Sequence, residues 1–224
     1  MVFFVAVADT IFAAANILTL FSNSNTGLCW VEGALRQFSE MNSLFWSISL
    51  AVVSYKSAKL DHTFKNKQFL DTAIKIGLTI SLVLAIIPFF EIEGIGYGWS
   101  NDFCWITVLE PSDDYIERAR VAFIVYEVVP MSIALAIILF CFCYGLIKTN
   151  TLSSELKKQL DLNSVRMIYY PLVFTLFAVP SAFDDLAVYY YGKDSEILSF
   201  FHLLISHAMG FANALVYRFI SQNQ

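Results

Sequence analysis

Three charged residues lie at four-residue spacing in an otherwise apolar part of the chain: Glu32, Arg36 and Glu40. Residues four positions apart in an α-helix are offset by only about 40°, so the three side chains would share one helix face. Ionisable groups inside a membrane are costly and normally face a partner or a water-filled cavity. Two interpretations remain open and are compatible: an internal Glu–Arg–Glu ion-pair ladder, or the wall of a ligand pocket with Arg36 as its charge anchor.

Other ionisable residues interrupt long apolar runs. Glu127 lies midway along one such run and His202 lies in another, so both are candidate walls of the same pocket, although a single buried histidine is often only hydrogen-bonded core. An aspartate within a lipid-spanning helix is a functional candidate by default. We therefore expect Asp9 to face the protein interior, with Asn213 as a possible partner.

The composition indicates the solvent in which these residues act. The 224 residues are 58% hydrophobic and 15% charged, with a net charge of −5. Soluble domains carry about 25% charged residues. The sequence therefore predicts an all-α, polytopic membrane helix bundle, and the lack of a long basic run argues against a nucleic-acid partner.

Apolar runs of about 20 residues predict six membrane helices. They are segments A (2–22), B (28–55), C (69–90), D (117–147), E (163–190) and F (196–220). The B–C and D–E connections are rich in lysine, whereas the C–D connection holds acidic residues only. By the positive-inside rule, the basic connections and both termini are cytoplasmic, and the A–B, C–D and E–F connections face outside.

Two of the four cysteines fall on the outer side in this topology. Cys29 begins segment B, and Cys104 lies in the C–D connection within the stretch "GYGWSNDFCWI". Disulfides persist in oxidising compartments. The topology predicts a Cys29–Cys104 disulfide, and the alternative is four unpaired cysteines. Cys141 and Cys143 lie toward the inner end of segment D and are expected to be packing residues.

An outer cysteine at the top of one helix, joined to an outer loop two helices later, resembles the G-protein-coupled receptor superfamily. In that superfamily the helix is the third and the loop joins the fourth and fifth. Segments A to F then resemble receptor helices two to seven. The resemblance implies one receptor domain over residues 1–224 whose first helix is missing, so that the chain is a fragment.

Four stretches are similar to the cyclic-AMP-receptor-like group. They are "CWVEGALRQFSEMNSLFWSISLAVVSY" (29–55), "GYGWSNDFCWI" (96–106), "YYPLVF" (169–174) and "GFANALVYRF" (210–219). The second stretch also resembles the secretin-like family. The rhodopsin-like branch is disfavoured, because "VVSYK" stands where it has Asp-Arg-Tyr and Ala214 replaces the proline of its Asn-Pro-x-x-Tyr motif.

The resemblance implies a function and its partners. A small extracellular ligand of unknown identity would bind from outside, and heterotrimeric G proteins would bind the cytoplasmic side of a receptor in the plasma membrane. Segment E carries Pro171 and Pro180, which weaken its backbone hydrogen bonds and allow it to bend. With Asp9 and Asn213, they and Tyr217 are the candidate switch residues.

Other function classes fit the sequence less well. A zinc-dependent hydrolase needs about three convergent ligands, and the chain has three histidines of which His62 lies in a cytoplasmic connection. We therefore expect no catalytic residues, no metal and no cofactor, and a retinal protein is disfavoured because segment F has no lysine. A membrane transporter or channel for a small polar solute remains the alternative, although no inverted repeat is visible.

Overall fold

The computed structural model describes residues 2–22, 25–59, 66–100, 103–109 and 115–151, together with the isolated residues 173, 211, 212, 215 and 218. This part of the chain is mostly helical, as the sequence predicts. Segments E and F lie outside the described residues apart from those five helical positions. The predictions made for Pro171, Pro180, His202, Asn213 and Tyr217 lie outside them as well.

The described helices follow the first four predicted segments. They are α1 (Val2–Ser22), α2 (Thr26–Ala58), α3 (Asn66–Ile86), α4 (Tyr115–Phe123) and α5 (Val129–Thr151), with a π turn at Ile124–Val128. Three stretches in the described part of the chain are long and apolar enough to cross a membrane: Phe3–Ser22, Lys67–Phe90 and Glu117–Gly145. The chain is therefore of the membrane-protein type. Helix α2 is longer than any of these stretches, but it is more polar.

The pattern of burial in α3 fits a helix with one face toward lipid. Its exposed side chains include Ile76, Ile80, Leu82 and Val83, all apolar. Every fourth residue is small and buried, at Ala73, Gly77, Ser81 and Ala85. Small residues at this spacing let a neighbouring helix approach closely within a membrane.

The pattern in α2 is different, because polar residues are among its most buried. Glu32, Gln37, Ser39 and Ser54 are buried together with Trp46 and Leu50. A membrane helix can carry such residues only where other parts of the protein or internal water surround them. Helix α2 is therefore an interior helix, which explains its low apolarity.

Contacts between Cα atoms divide the chain into two compact units. One comprises Phe4–Leu44 and Lys75–Met131, and we call it the hairpin unit. The other comprises Met1–Phe3, Phe45–Ile74 and Ser132–Gln224. In the described part of this second unit, the ring of Tyr55 lies 4.7 Å from that of Tyr144 and 5.9 Å from that of Phe140, measured between centroids.

The chain leaves α3 through two tight turns. A 3-10 turn spans Ile87–Phe90, and Pro88 within it has no N–H with which to continue the helical hydrogen bonds. A second 3-10 turn spans Ile92–Gly94. Glu91 and Glu93 adopt left-handed backbone conformations, with φ of 49° and 56°. These turns bring the chain into a β-hairpin.

The hairpin consists of β1 (Ile95–Ser100) and β2 (Phe103–Val108), paired antiparallel with Trp99 opposite Cys104. The sequence analysis treated this stretch only as a connection, so the hairpin departs from a purely helical fold. The cause is visible in β2, where aromatic and β-branched residues alternate between buried and half-buried positions. Such alternation stabilises a half-buried strand.

Candidate functional site

A disulfide joins Cys29 to Cys104, with 5.2 Å between the two Cα atoms. The predicted pair is thus present, and the alternative of four unpaired cysteines is wrong. Cys141 and Cys143 are free, the first buried and the second exposed. Because Cys29 lies in the first turns of α2 and Cys104 lies in β2, the bond fixes the hairpin to the start of α2.

The carboxylate of Glu32, one turn beyond Cys29, is buried and joins three elements. It accepts hydrogen bonds from Thr19 Oγ1 (2.7 Å) and Ser22 Oγ at the end of α1. It also accepts from Arg36 Nε and from the backbone N–H of Cys104, each at 3.2 Å. A carboxylate offers about four acceptor positions. Glu32 is therefore saturated by the protein itself.

The guanidinium of Arg36 is held along one edge. Its Nε donates to Glu32 at 3.2 Å, and its Nη2 donates to Thr19 Oγ1 at 3.1 Å. The guanidinium carbon also lies 5.6 Å from the ring centroid of Phe12 and 4.6 Å from that of Phe103, distances typical of cation–π contacts. Among the described residues, no acceptor takes a hydrogen bond from Nη1, and the side chain is 12% exposed.

The predicted Glu–Arg–Glu ladder consists of two pairs, Glu32–Arg36 and Arg36–Glu40. The Glu32–Arg36 pair is a salt bridge of 3.2 Å at i,i+4 spacing. Glu40 is half-buried one turn further along the same helix face. The salt bridge of Arg36 is formed with Glu32, and Glu40 also interacts electrostatically with the guanidinium.

Two further candidates lie in other elements. Glu127 is buried within the π turn at Ile124–Val128. It is not among the hydrogen-bond partners found for Glu32 and Arg36 in the described residues. Such π turns inside helices are frequently found at functional sites. Asp9 is half-buried in α1. Its predicted partner Asn213 and the candidate pocket residue His202 lie outside the described residues.

Sequence reasoning missed the residues that complete the site: Phe12, Thr19, Ser22 and Phe103. A weak signal existed for the two hydroxyls, because Thr19 and Ser22 are three residues apart and so share a face of α1. Nothing in the spacing connects Phe103 with Arg36. That contact depends on the hairpin and its disulfide.

Tyr97 anchors the hairpin to the helices. Its ring is 2% exposed, and its hydroxyl donates to the carbonyl oxygen of Ala85 in α3 at 2.8 Å. A Cβ at Gly33 of α2 would lie 2.5 Å from Tyr97 Cδ1, so only glycine allows this close approach. Burial raises the pKa of the Tyr97 phenol above its ordinary value, and the neighbouring Tyr126 raises it further.

A shallow surface pocket of about 200 Å³ also lies in the hairpin unit. It is lined by Glu93, Ile95, Glu117, Arg118 and Val121. Arg118 donates to the carbonyl oxygen of Glu93 at 2.9 Å, which ties α4 to the turn before β1. Within the described residues, no group of three or more histidine, cysteine or acidic side chains could hold a metal ion.

No protein-family model matches the chain, and no curated protein is significantly similar to it. The described residues form a mostly helical chain with three stretches that could span a membrane and a hairpin fixed to α2 by a disulfide.

Proposed function

We propose that the chain is part of a G-protein-coupled receptor of the cyclic-AMP-receptor-like or secretin-like type. In this proposal it binds a small extracellular ligand and activates heterotrimeric G proteins through movement of its inner helix ends. The observation that carries the proposal is the Glu32–Arg36 pair. It is a buried ion pair within an interior helix, next to a hairpin that a disulfide attaches to the same helix end.

The hydrogen bonds of Glu32 and Arg36 indicate different roles for the two residues. Because Glu32 is saturated by four protein donors, its role is to hold Arg36 in place. Arg36 has five N–H donors, and acceptors among the described residues take two of them. The free Nη1 group is suited to an oxygen acceptor on a small polar ligand, such as a carbonyl or a carboxylate. Glu40, Glu127 and His202 are proposed as further walls of the pocket.

The hairpin contributes the cover of this pocket. Phe103 lies directly over the guanidinium at 4.6 Å, and the disulfide at Cys104 fixes the next residue in the strand. A ligand that bonds to Nη1 would thus lie beside an aromatic ring. Binding would be favoured by desolvation of the charged group between Phe12 and Phe103.

The proposal also includes a switch on the cytoplasmic side. Segments A to F would serve as receptor helices two to seven in the plasma membrane, with the basic connections 56–67 and 148–166 around the G protein. A signal requires an element with two packings that ligand and G protein both bias. Segment E is the proposed element because of Pro171 and Pro180. Asp9, Asn213 and Tyr217 would rearrange with it.

The test uses the full-length protein in lipid nanodiscs with purified heterotrimeric G proteins. A panel of amino acids, amines and nucleotides is screened for stimulation of nucleotide exchange. We expect at least one compound to stimulate exchange, Arg36→Lys to weaken its potency by tenfold or more, and Glu117→Gln to leave it unchanged. Absence of stimulation, together with uptake of a labelled solute into proteoliposomes, would replace the receptor proposal with a transporter.

A further inference from the structure

The side chain of Gln37 in α2 poses a problem that the Glu32–Arg36 site does not explain. It is 0% exposed, and neither its amide nitrogen nor its amide oxygen has a hydrogen-bond partner in the described protein. Buried polar groups are almost always satisfied, by protein or by ordered water. An amide that is fully buried and unsatisfied at both ends therefore points to a missing small polar partner.

Ser81 in α3 poses the same problem. It is also 0% exposed, and its hydroxyl has no hydrogen-bond partner among the described residues. A serine in a helix commonly donates to a backbone carbonyl three or four residues earlier, as Thr72 does to Gln68 at 3.0 Å in the same helix. The Ser81 hydroxyl makes no such bond.

The contacts of Tyr97 place Gln37 of α2 and Ser81 of α3 at a similar depth below the hairpin. Its ring contacts α2 at Gly33, and its hydroxyl contacts α3 at Ala85. Gln37 is one turn beyond Gly33, and Ser81 is one turn before Ala85. Because the hairpin follows the end of α3 and is bonded to the start of α2, both four-residue steps lead away from the hairpin by about 6 Å.

The direction of the Gln37 side chain agrees with this placement. Ala34 packs against the buried cluster that contains Tyr97 and Ile106, and Gly33 contacts the same tyrosine. Gln37 follows these residues by three and four positions, so its side chain projects between theirs. It lies on the face of α2 that Tyr97 covers one turn earlier.

We propose that Gln37 and Ser81 line an enclosed hydration site between α2 and α3, directly beneath Tyr97, which holds at least one ordered water molecule. The water accepts from or donates to the Gln37 amide and the Ser81 hydroxyl, and so satisfies both. A buried water typically makes two to four such bonds. The ring of Tyr97 and its bond to Ala85 close the site on the hairpin side. This inference does not depend on the receptor proposal.

Double substitution distinguishes a hydrated site from a dry one. If water bridges the two groups, Gln37→Leu or Ser81→Ala alone leaves the water and the other side chain without one hydrogen-bond partner. Each single variant is then expected to lower Tm by about 2–4 °C. The double variant removes both groups and loses less than the sum of the two shifts. If the site is dry, each single variant removes an unsatisfied group, raises Tm, and the shifts add; that result overturns the proposal. Thr79→Ala, an exposed position on the same helix, is the control.

A second measurement uses the unsubstituted protein, so that it remains decisive if the variants fold poorly. X-ray radiolysis produces hydroxyl radicals from bound water and oxidises side chains beside it. We expect Tyr97 to be oxidised despite its 2% exposure, with slow incorporation of label after mixing with H₂¹⁸O. Half-buried Tyr126 serves as the positive control. An unmodified Tyr97 beside an oxidised Tyr126 would contradict an enclosed water.

Discussion

Helices α2 and α3 are neighbours in the sequence, yet they bury opposite kinds of side chain. Helix α3 exposes apolar side chains such as Ile80 and Leu82 and buries small ones such as Ala85. Helix α2 buries polar side chains, including Glu32 and Gln37. Hydropathy detects the first kind of helix well. It ranks the second kind too low, because an interior helix need not be apolar on all sides.

Functional chemistry is therefore expected in α2, whose buried side chains include charged groups. In α3 the polar groups near the hairpin are uncharged, namely the Ala85 carbonyl, which accepts from Tyr97, and the buried Ser81 hydroxyl. In α2 they include a charged pair whose partners come from α1 and β2. The buried charged side chains of α2 can be neutralised or replaced by substitution, so their variants are expected to show the largest effects.

The largest effect is expected for Glu32→Leu. Removing one member of a buried ion pair leaves the other uncompensated, at a cost of about 3–5 kcal/mol. For a chain of this size, Tm should fall by roughly 10 °C or more in a detergent melt followed by intrinsic fluorescence. Glu117→Gln, at an exposed position, is the matched control.

A double variant shows whether charge is the cause of that loss. Replacing both members by apolar residues of similar volume, Glu32→Leu with Arg36→Met, removes the unpaired charge. We expect it to be more stable than Glu32→Leu alone. If both proteins melt at the same temperature, the loss is due to packing or to the Cys104 hydrogen bond, and not to the unpaired charge of Arg36.

The second effect concerns the attachment of the hairpin to α2. The Cys29–Cys104 disulfide joins residues 75 positions apart. Replacing both cysteines by serine should destabilise the protein by about 2–4 kcal/mol, since long loops gain most from closure. A thermal melt with and without reductant measures the loss. Reductant should lower the Tm of the unsubstituted protein and of Cys143→Ser, but it should leave the double variant unchanged.

The third effect tests the close approach of Tyr97 to α2. In Gly33→Ala the new Cβ would meet Tyr97 Cδ1 at 2.5 Å, so the ring or the helix must shift. Overpacking of this kind costs about 1–3 kcal/mol. Gly27→Ala in the first turn of α2 is the control, because its nearest neighbour would be Asn25 Oδ1 at 3.4 Å. Equal melting temperatures for the two variants would show that the hairpin is not packed tightly on α2.

Of the contacts that the sequence predicted, one is encoded by local spacing and one by the predicted topology. Glu32 and Arg36 are four residues apart, so their ion pair follows from helix geometry. The Cys29–Cys104 bond was predicted from the charge of the connections, which by the positive-inside rule would put both cysteines on the outer side. The helices themselves followed from apolar runs, with α2 identified despite its charges.

The contacts that the sequence did not predict cross between elements. Phe103 reaches Arg36 only because β1 and β2 pair, and the aromatic alternation of β2 was read as a connection. Thr19 reaches Glu32 across 13 residues, and no periodicity specifies which hydroxyl of α1 will do so. The unsatisfied Gln37 is likewise visible only once the surrounding residues are placed.

The smallest effect concerns the Tyr97 hydroxyl, which links the hairpin to α3. Burial, and secondarily Tyr126, raises the pKa of this phenol in the folded protein, whereas an unfolded tyrosine titrates near 10. Above about pH 10 the unfolded state releases this proton and the folded state keeps it, so stability falls as pH rises. The contribution is fully present below about pH 10.

Tyr97→Phe should cost about 1 kcal/mol at neutral pH, through loss of the bond to Ala85, and should flatten the decline of Tm above pH 10. Melts between pH 7 and 11 measure both effects, and a decline equally steep in the variant would mean that another group is responsible.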